Sequence, residues 1–192
     1  MKEQLSAHTS EVKLESFFTK VLSVIGRTTD LQLASLMQKG HHTIAVAESL
    51  TAGMVCSRLA NVARSSEYFL GGIVCYHNRI KVVEVGVPAA LISKHGPVSK
   101  EVAVSMAENI RKKFKTEIGL STTGLAGPKN EEGLHPGLVY IALATHQGCE
   151  FKEIHLQGTR NEIRRKAAQA CLGLLWLHLG GDEVVQNAAK AS

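Results

Sequence analysis

From Thr43 onward, short apolar runs rich in β-branched residues alternate with amphipathic stretches, and few folds accommodate that alternation. Thr43–Ala47 is apolar on both faces, as a strand covered on both sides must be. Leu50–Asn61 reads as a helix, Phe69–Tyr76 as a glycine-opened strand and Arg79–Val85 as a short helix. Ser99 caps a longer helix, in which Val102, Met106, Ile110 and Phe114 recur every fourth residue as one buried stripe. Ile118–Thr122 is a further strand. Leu138–Thr145 and Phe151–Leu156 flank Gln147-Gly148, the pattern of an antiparallel hairpin. Asn161 caps a last helix with Ile163, Ala167, Cys171 and Leu174 on one face. Strands joined through helices, then a hairpin, specify an α/β layered sandwich with a mixed, partly parallel sheet flanked by helices.

Ahead of this pattern Leu14, Phe17, Phe18, Val21, Leu22 and Ile25 line one face of a helix. That stripe suits packing on the main domain or on a second subunit. A membrane-surface helix fits less well, because Glu11 and Glu15 share the polar face with Lys13 and Lys20. Asp30 can cap a helix from Leu31 to Lys39 that Gly40 ends. The chain thus divides into an N-terminal helical extension (1–29), a main domain (30–180) and a polar, flexible tail (181–192).

Composition narrows the function classes. No apolar run approaches the ~18 residues of a membrane span; the longest, Cys171–Leu179, already contains His178. The N-terminus lacks the apolar core of a secretory signal, and Glu3, Glu11 and Glu15 disfavour a transit peptide. Cys56, Cys75, Cys149 and Cys171 lie far apart without a CxxC, which points to reduced thiols and a cytoplasmic location. A net charge of +5 suits an anionic small molecule. With 5% aromatic residues and no basic–aromatic interleaving, nucleic acid is disfavoured as a partner.

In sheets of this kind ligands gather at the carboxyl ends of the strands, which here directs attention to three turns. Ser49 follows a buried strand at the entry to a helix, where the next amides point at whatever its hydroxyl attacks; the same position suits a plain N-cap. A nucleophilic serine needs a base. Lys81 and Tyr76, five residues apart across a strand end, can supply one if burial lowers the lysine pKa, or can be an ordinary surface lysine and a half-buried tyrosine. Thr122-Thr123-Gly124-Leu125-Ala126-Gly127 is a small-residue turn that lets a ligand approach the backbone, yet neither GxxxxGK(S/T) nor GxGxxG is present. Arg160, Arg164, Arg165 and Lys166 crowd a helix entrance, where a bound phosphate would offset their conflict with the helix dipole; a solvated basic face is the plainer alternative. GxSxG, SxxK with KTG and HExxH are all missing, and the nine scattered His give no metal-ligand spacing.

Taken together, these segments resemble the CinA C-terminal domain family, the competence/damage-inducible nicotinamide-nucleotide amidases, from about Leu33 to His178. The resemblance rests on Ala47-Glu48-Ser49-Leu50-Thr51-Ala52-Gly53 (family pattern AESxTGG), Tyr68-Phe69-Leu70-Gly71-Gly72 and Tyr76-His77-Asn78-Arg79-Ile80-Lys81. It continues through His95-Gly96-Pro97-Val98-Ser99, Thr123-Gly124-Leu125-Ala126-Gly127-Pro128, Gly158-Thr159-Arg160 and Arg164-Arg165. It implies hydrolysis of nicotinamide mononucleotide to nicotinic acid mononucleotide and ammonia, in pyridine nucleotide salvage, with no cofactor and no metal. It implies Ser49 as nucleophile with Tyr76 and Lys81 activating it. It places Glu48, Thr51, Asn78, Thr122, Thr123, Gly124, Ala126, Gly127, Arg160 and Arg164 in substrate binding, and a homodimer is expected.

Four departures stand against the family pattern. Ala52 replaces a glycine, Arg79 an acid, Lys129-Asn130-Glu131-Glu132-Gly133 a glycine-rich acidic loop, and His135-Pro136-Gly137-Leu138 a KPVG-like stretch. They keep an alternative open: a weak or inactive paralogue serving as a nucleotide-binding or protein-interaction module.

Overall fold

The computed structural model describes residues 27–127 and 135–180. The amphipathic stripe from Leu14 to Ile25, the segment Pro128–Leu134 and the tail beyond Gly180 lie outside the described residues. In chain order the elements are α1 (Arg27–Lys39), β1 (Ile44–Glu48), α2 (Met54–Ala60), β2 (Phe69–Val74), α3 (Asn78–Val83), α4 (Ala89–His95), α5 (Lys100–Phe114), β3 (Ile118–Gly124), β4 (Leu138–Ala144), β5 (Cys149–His155) and α6 (Arg160–His178). The strands form one sheet in the order β2-β1-β3-β4-β5. β1 runs parallel to both β2 and β3, while β4 and β5 add antiparallel. This is the expected layered α/β sandwich with a mixed sheet.

The two faces of β1 are filled differently. Ile44 and Val46 pack with α1, α2 and α6 through Met37, Val55, Leu59, Cys171 and Leu175. Ala45 and Ala47 face Val102, Met106 and Ile110 of α5. The floor beneath α5 is built of small residues. Ala142 and Ala144 meet Ala103 and Ala107 there, and Ser121 donates its hydroxyl to the Ala103 carbonyl at 2.7 Å. At Gly119 an added Cβ would lie 2.1 Å from the Ala107 carbonyl oxygen, so α5 rests on the sheet with no room for a methyl group. Gly119→Ala is therefore expected to destabilise the fold by about 1–3 kcal/mol, seen as a lower Tm in a thermal melt.

Several boundaries differ from the sequence expectation. α1 starts at Arg27, so Asp30 lies inside it and is no cap; its carboxylate instead pairs with Arg58 of α2 at 2.5 Å. α2 starts at Met54, not at Leu50, because Ala52 (φ 48°) and Gly53 (φ 94°) turn the chain left-handed first. α6 is capped by Thr159, not Asn161. The Thr159 hydroxyl accepts from the Glu162 amide while the Glu162 carboxylate accepts from the Thr159 amide at 2.7 Å, a reciprocal capping box. α4, entered from Pro88, was not anticipated as a helix. The α5 cap at Ser99 and the β4–β5 hairpin are as expected. All four cysteines are free thiols, and no described helix is long and apolar enough to cross a membrane.

Candidate active site

Parallel pairing makes the site. Glu48 is level with Val74 on one side and with Thr122 on the other, so the residues that follow β1, β2 and β3 emerge together at one edge of the sheet. Ser49 and Tyr76 are among them, beside Thr123 near the end of β3.

Ser49 opens a five-residue turn rather than a helix. Its amide donates to the Thr122 carbonyl at 2.9 Å, and its carbonyl accepts from the Ala52 amide at 3.1 Å. Ala52 is solvent-exposed, so the methyl group replacing the family's glycine meets no neighbour that must move; it costs backbone strain instead. The N-cap position of α2 is Gly53, which leaves the Ser49 hydroxyl free of capping duty. The Leu50 and Thr51 amides have no acceptor among the described residues.

Glu48 does the capping. Its carboxylate is fully buried and accepts from the amides of Gly53 (2.8 Å), Val55 (3.2 Å) and Cys56 (2.7 Å). The resemblance implied substrate binding for this side chain, but both oxygens are committed to the start of α2, so Glu48 holds the turn instead. Removing the carboxylate leaves three amides without acceptors, each worth about 1–3 kcal/mol when buried. Glu48→Ala is expected to lose about 3–5 kcal/mol of stability in urea denaturation, and Glu48→Gln, which keeps an acceptor, markedly less.

Lys81 stands on α3 and is 2% exposed. Its Nζ lies 3.1 Å from Ser49 Oγ and 3.5 Å from the Tyr76 carbonyl oxygen. No carboxylate forms an ion pair with it among the described residues. Burial, the dominant influence, pulls the Lys81 pKa below its ordinary 10.5; the neighbouring Cys75 opposes this weakly. Cys75 itself is pushed up to about 11 by burial, against the pull of Lys81, and stays a neutral thiol at neutral pH. A buried amine whose pKa is lowered by desolvation, within hydrogen-bond reach of a serine hydroxyl, is the arrangement a general base requires.

Tyr76 is 52% exposed. Its phenol accepts from Arg160, not from Lys81, so the tyrosine hydroxyl makes no hydrogen bond to the Ser49–Lys81 pair. Only the Tyr76 backbone carbonyl reaches Lys81. Arg160 also donates to the Gly127 carbonyl at 2.6 Å and so bridges the mouth of the cleft. Arg164 donates to the carbonyls of Leu50 (2.9 Å) and Thr51 (3.4 Å), buttressing the Ser49 turn. The threonines are spent on structure as well. Thr122 and Thr51 share a hydroxyl–hydroxyl bond of 2.7 Å, and Thr123 donates to the Pro97 carbonyl at 2.7 Å. Gly124 sits where an added Cβ would lie 2.7 Å from the Leu138 carbonyl oxygen. Ala126 is buried and Gly127 (φ 104°) turns the loop toward Arg160. Asn78 begins α3 with its side chain exposed. Among the described residues no trio of His, Cys, Asp or Glu is placed to hold a metal ion.

The family model for the CinA C-terminal domain matches residues 27–179. The chain belongs to the CinA C-terminal domain family. The AESxTGG-like segment is the β1–turn–α2 junction just described. A CinA-like protein of Dictyoglomus thermophilum is 44% identical over 133 residues, covering 69% of this chain and 32% of the relative. One of Geotalea daltonii is 38% identical over 160 residues, covering 83% and 38%. The chain thus spans about a third of the length of these curated relatives. In fold it is similar to a CinA superfamily protein of Klebsiella pneumoniae, with a TM-score of 0.78 at 21% identity over 81% of this chain and 98% of the other. A competence/damage inducible protein of Agrobacterium tumefaciens gives 0.75 at 26% identity, over 80% and 94%.

Proposed function

We propose that this chain is a serine amidase that hydrolyses the carboxamide of nicotinamide mononucleotide to nicotinic acid mononucleotide and ammonia, serving cytoplasmic pyridine nucleotide salvage. The observation that carries this reading is the 3.1 Å contact between Ser49 Oγ and the buried, uncompensated Lys81 Nζ. Neutral Lys81 takes the Ser49 proton as Oγ attacks the carboxamide carbon. The tetrahedral oxyanion forms beside the Leu50 and Thr51 amides, which are free to donate. Lys81 then passes the proton to the amide nitrogen, the C–N bond breaks and ammonia leaves. Water attacks the resulting ester, Lys81 accepts its proton and returns it to Ser49 as the acid departs.

Arg160 is positioned to meet the phosphate. It stands at the mouth, exposed, with a guanidinium whose forked donors suit phosphate oxygens. The exposed Tyr76 ring at the same mouth is available to the pyridinium, a cation–π attraction worth about 0.5–2 kcal/mol.

The test is product analysis. Purified protein incubated with nicotinamide mononucleotide is expected to release ammonia and nicotinic acid mononucleotide in equal amounts. Binding of the nucleotide with no ammonia released would contradict the amidase reading and favour a noncatalytic nucleotide-binding module.

A further inference from the structure

A second concavity, of about 570 Å³, lies between α2 and α6. Small-ligand sites occupy about 300–1,000 Å³. Its walls carry three guanidinium groups, Arg58, Arg164 and Arg165, and among the described residues no carboxylate lines it. Ser57 and Gln169 add polar groups; Met54, Ala52 and Ala168 supply a small apolar floor.

The three arginines differ in how their charge is answered. Asp30 pairs with Arg58 through both carboxylate oxygens. Among the described residues Arg164 is held only by neutral acceptors, the Leu50 and Thr51 carbonyls and the Asn161 amide oxygen, which occupy three of its five N–H donors. Arg165 is exposed and makes no hydrogen bond or ion pair among the described residues. Two positive charges therefore face one apolar-floored cavity; Glu162 draws on the Arg165 charge through space without forming an ion pair, and no described carboxylate lines the cavity itself. A phosphate monoester, with a charge of about −1.5 to −2 near neutral pH, matches them.

The cavity is not the Ser49 cleft. α2 and α6 cover one face of the sheet with the Ile44 and Val46 side chains, whereas Lys81, to which the Ser49 hydroxyl is bonded, stands on α3, which packs on the opposite face. Ala52 and Gly53 at the far end of the Ser49 turn line the cavity, and Arg164 both lines it and holds the turn's Leu50 and Thr51 carbonyls.

We propose that this α2–α6 cavity is a second binding site, for a small phosphate monoester carrying a compact apolar body, and that its occupant lowers turnover by drawing Arg164 away from the carbonyls that brace the Ser49 turn. Binding at the cavity is independent of the amidase reading, whereas its effect on turnover rests on it.

Adenosine monophosphate serves as the probe, titrated calorimetrically into the full chain, into Arg165→Glu and into Ser57→Glu. Both positions are solvent-exposed, so neither change burdens folding. Binding weakened at least tenfold by each substitution supports the site. No binding up to millimolar probe, or equal affinity in all three proteins, overturns it. In the ammonia assay the probe is expected to lower kcat without raising KM, and to do so far less in Arg165→Glu. A rise in KM alone would make the cavity part of the substrate site and overturn the separate-site assignment.

Discussion

Ser49→Ala is expected to reduce ammonia release from nicotinamide mononucleotide by roughly 10⁴–10⁶-fold, the scale seen when a hydrolase loses its nucleophile. The fold should survive. Among the described residues the hydroxyl bonds only to Lys81, and its loss leaves one small gap beside a turn otherwise fixed by backbone bonds, by Glu48 and by Arg164. Substrate affinity should persist, because Arg160, Tyr76 and the Thr123–Gly127 loop are untouched. The diagnostic result is lost turnover with retained binding and an unchanged Tm. Near-normal turnover would remove Ser49 from the mechanism.

Lys81→Met separates catalysis from stability in the opposite direction. Without the base, turnover should fall by about 10²–10⁴-fold. The protein should nevertheless become more stable, because an amine 2% exposed and lacking a carboxylate partner among the described residues is replaced by an apolar chain of similar length. The sign with pH follows from the lowered pKa. Between the buried amine's pKa and the ordinary 10.5, the unfolded state binds more protons than the folded one, so wild-type stability rises with pH across that window. The variant lacks this term. Its advantage is thus largest at lower pH, where the buried group is charged, and shrinks as pH rises toward 10.5. A gain of about 1–2 kcal/mol at neutral pH corresponds to roughly 2–8 °C in Tm. A variant less stable than wild type at every pH would mean that Lys81 is held by interactions stronger than its desolvation.

The legible parts of this molecule are those set by local pattern. The β1 run, the Val102–Met106–Ile110 stripe and the Ser99 cap depend on neighbours in sequence and read correctly. The illegible parts depend on distant groups. α2 begins late because Glu48, several residues upstream, supplies the acceptors for its first amides, a spacing that no capping motif predicts. The Asp30 carboxylate is used by Arg58, 28 positions away. The Thr-x-x-Glu spacing of Thr159 and Glu162 is itself a capping-box signature, a stronger cap signal than the lone Asn161. In the site, the need for a base near Ser49 was legible, as was Lys81 as a candidate. That the lysine is buried, and that the Tyr76 phenol turns to Arg160, follows from how α3 and α6 meet the sheet edge, which no local pattern encodes.

The most direct test of the central claim, that Lys81 activates Ser49, uses a serine-directed fluorophosphonate, whose reaction depends on neither the natural substrate nor deacylation. Intact-mass and peptide analysis would follow labelling as a function of pH in wild type and in Lys81→Met. The account predicts a single label on Ser49, an acid limb with its midpoint below the ordinary lysine value, and labelling at least about 10²-fold slower in the variant. Labelling of Lys81→Met at the wild-type rate, or a label on any other residue, would contradict it.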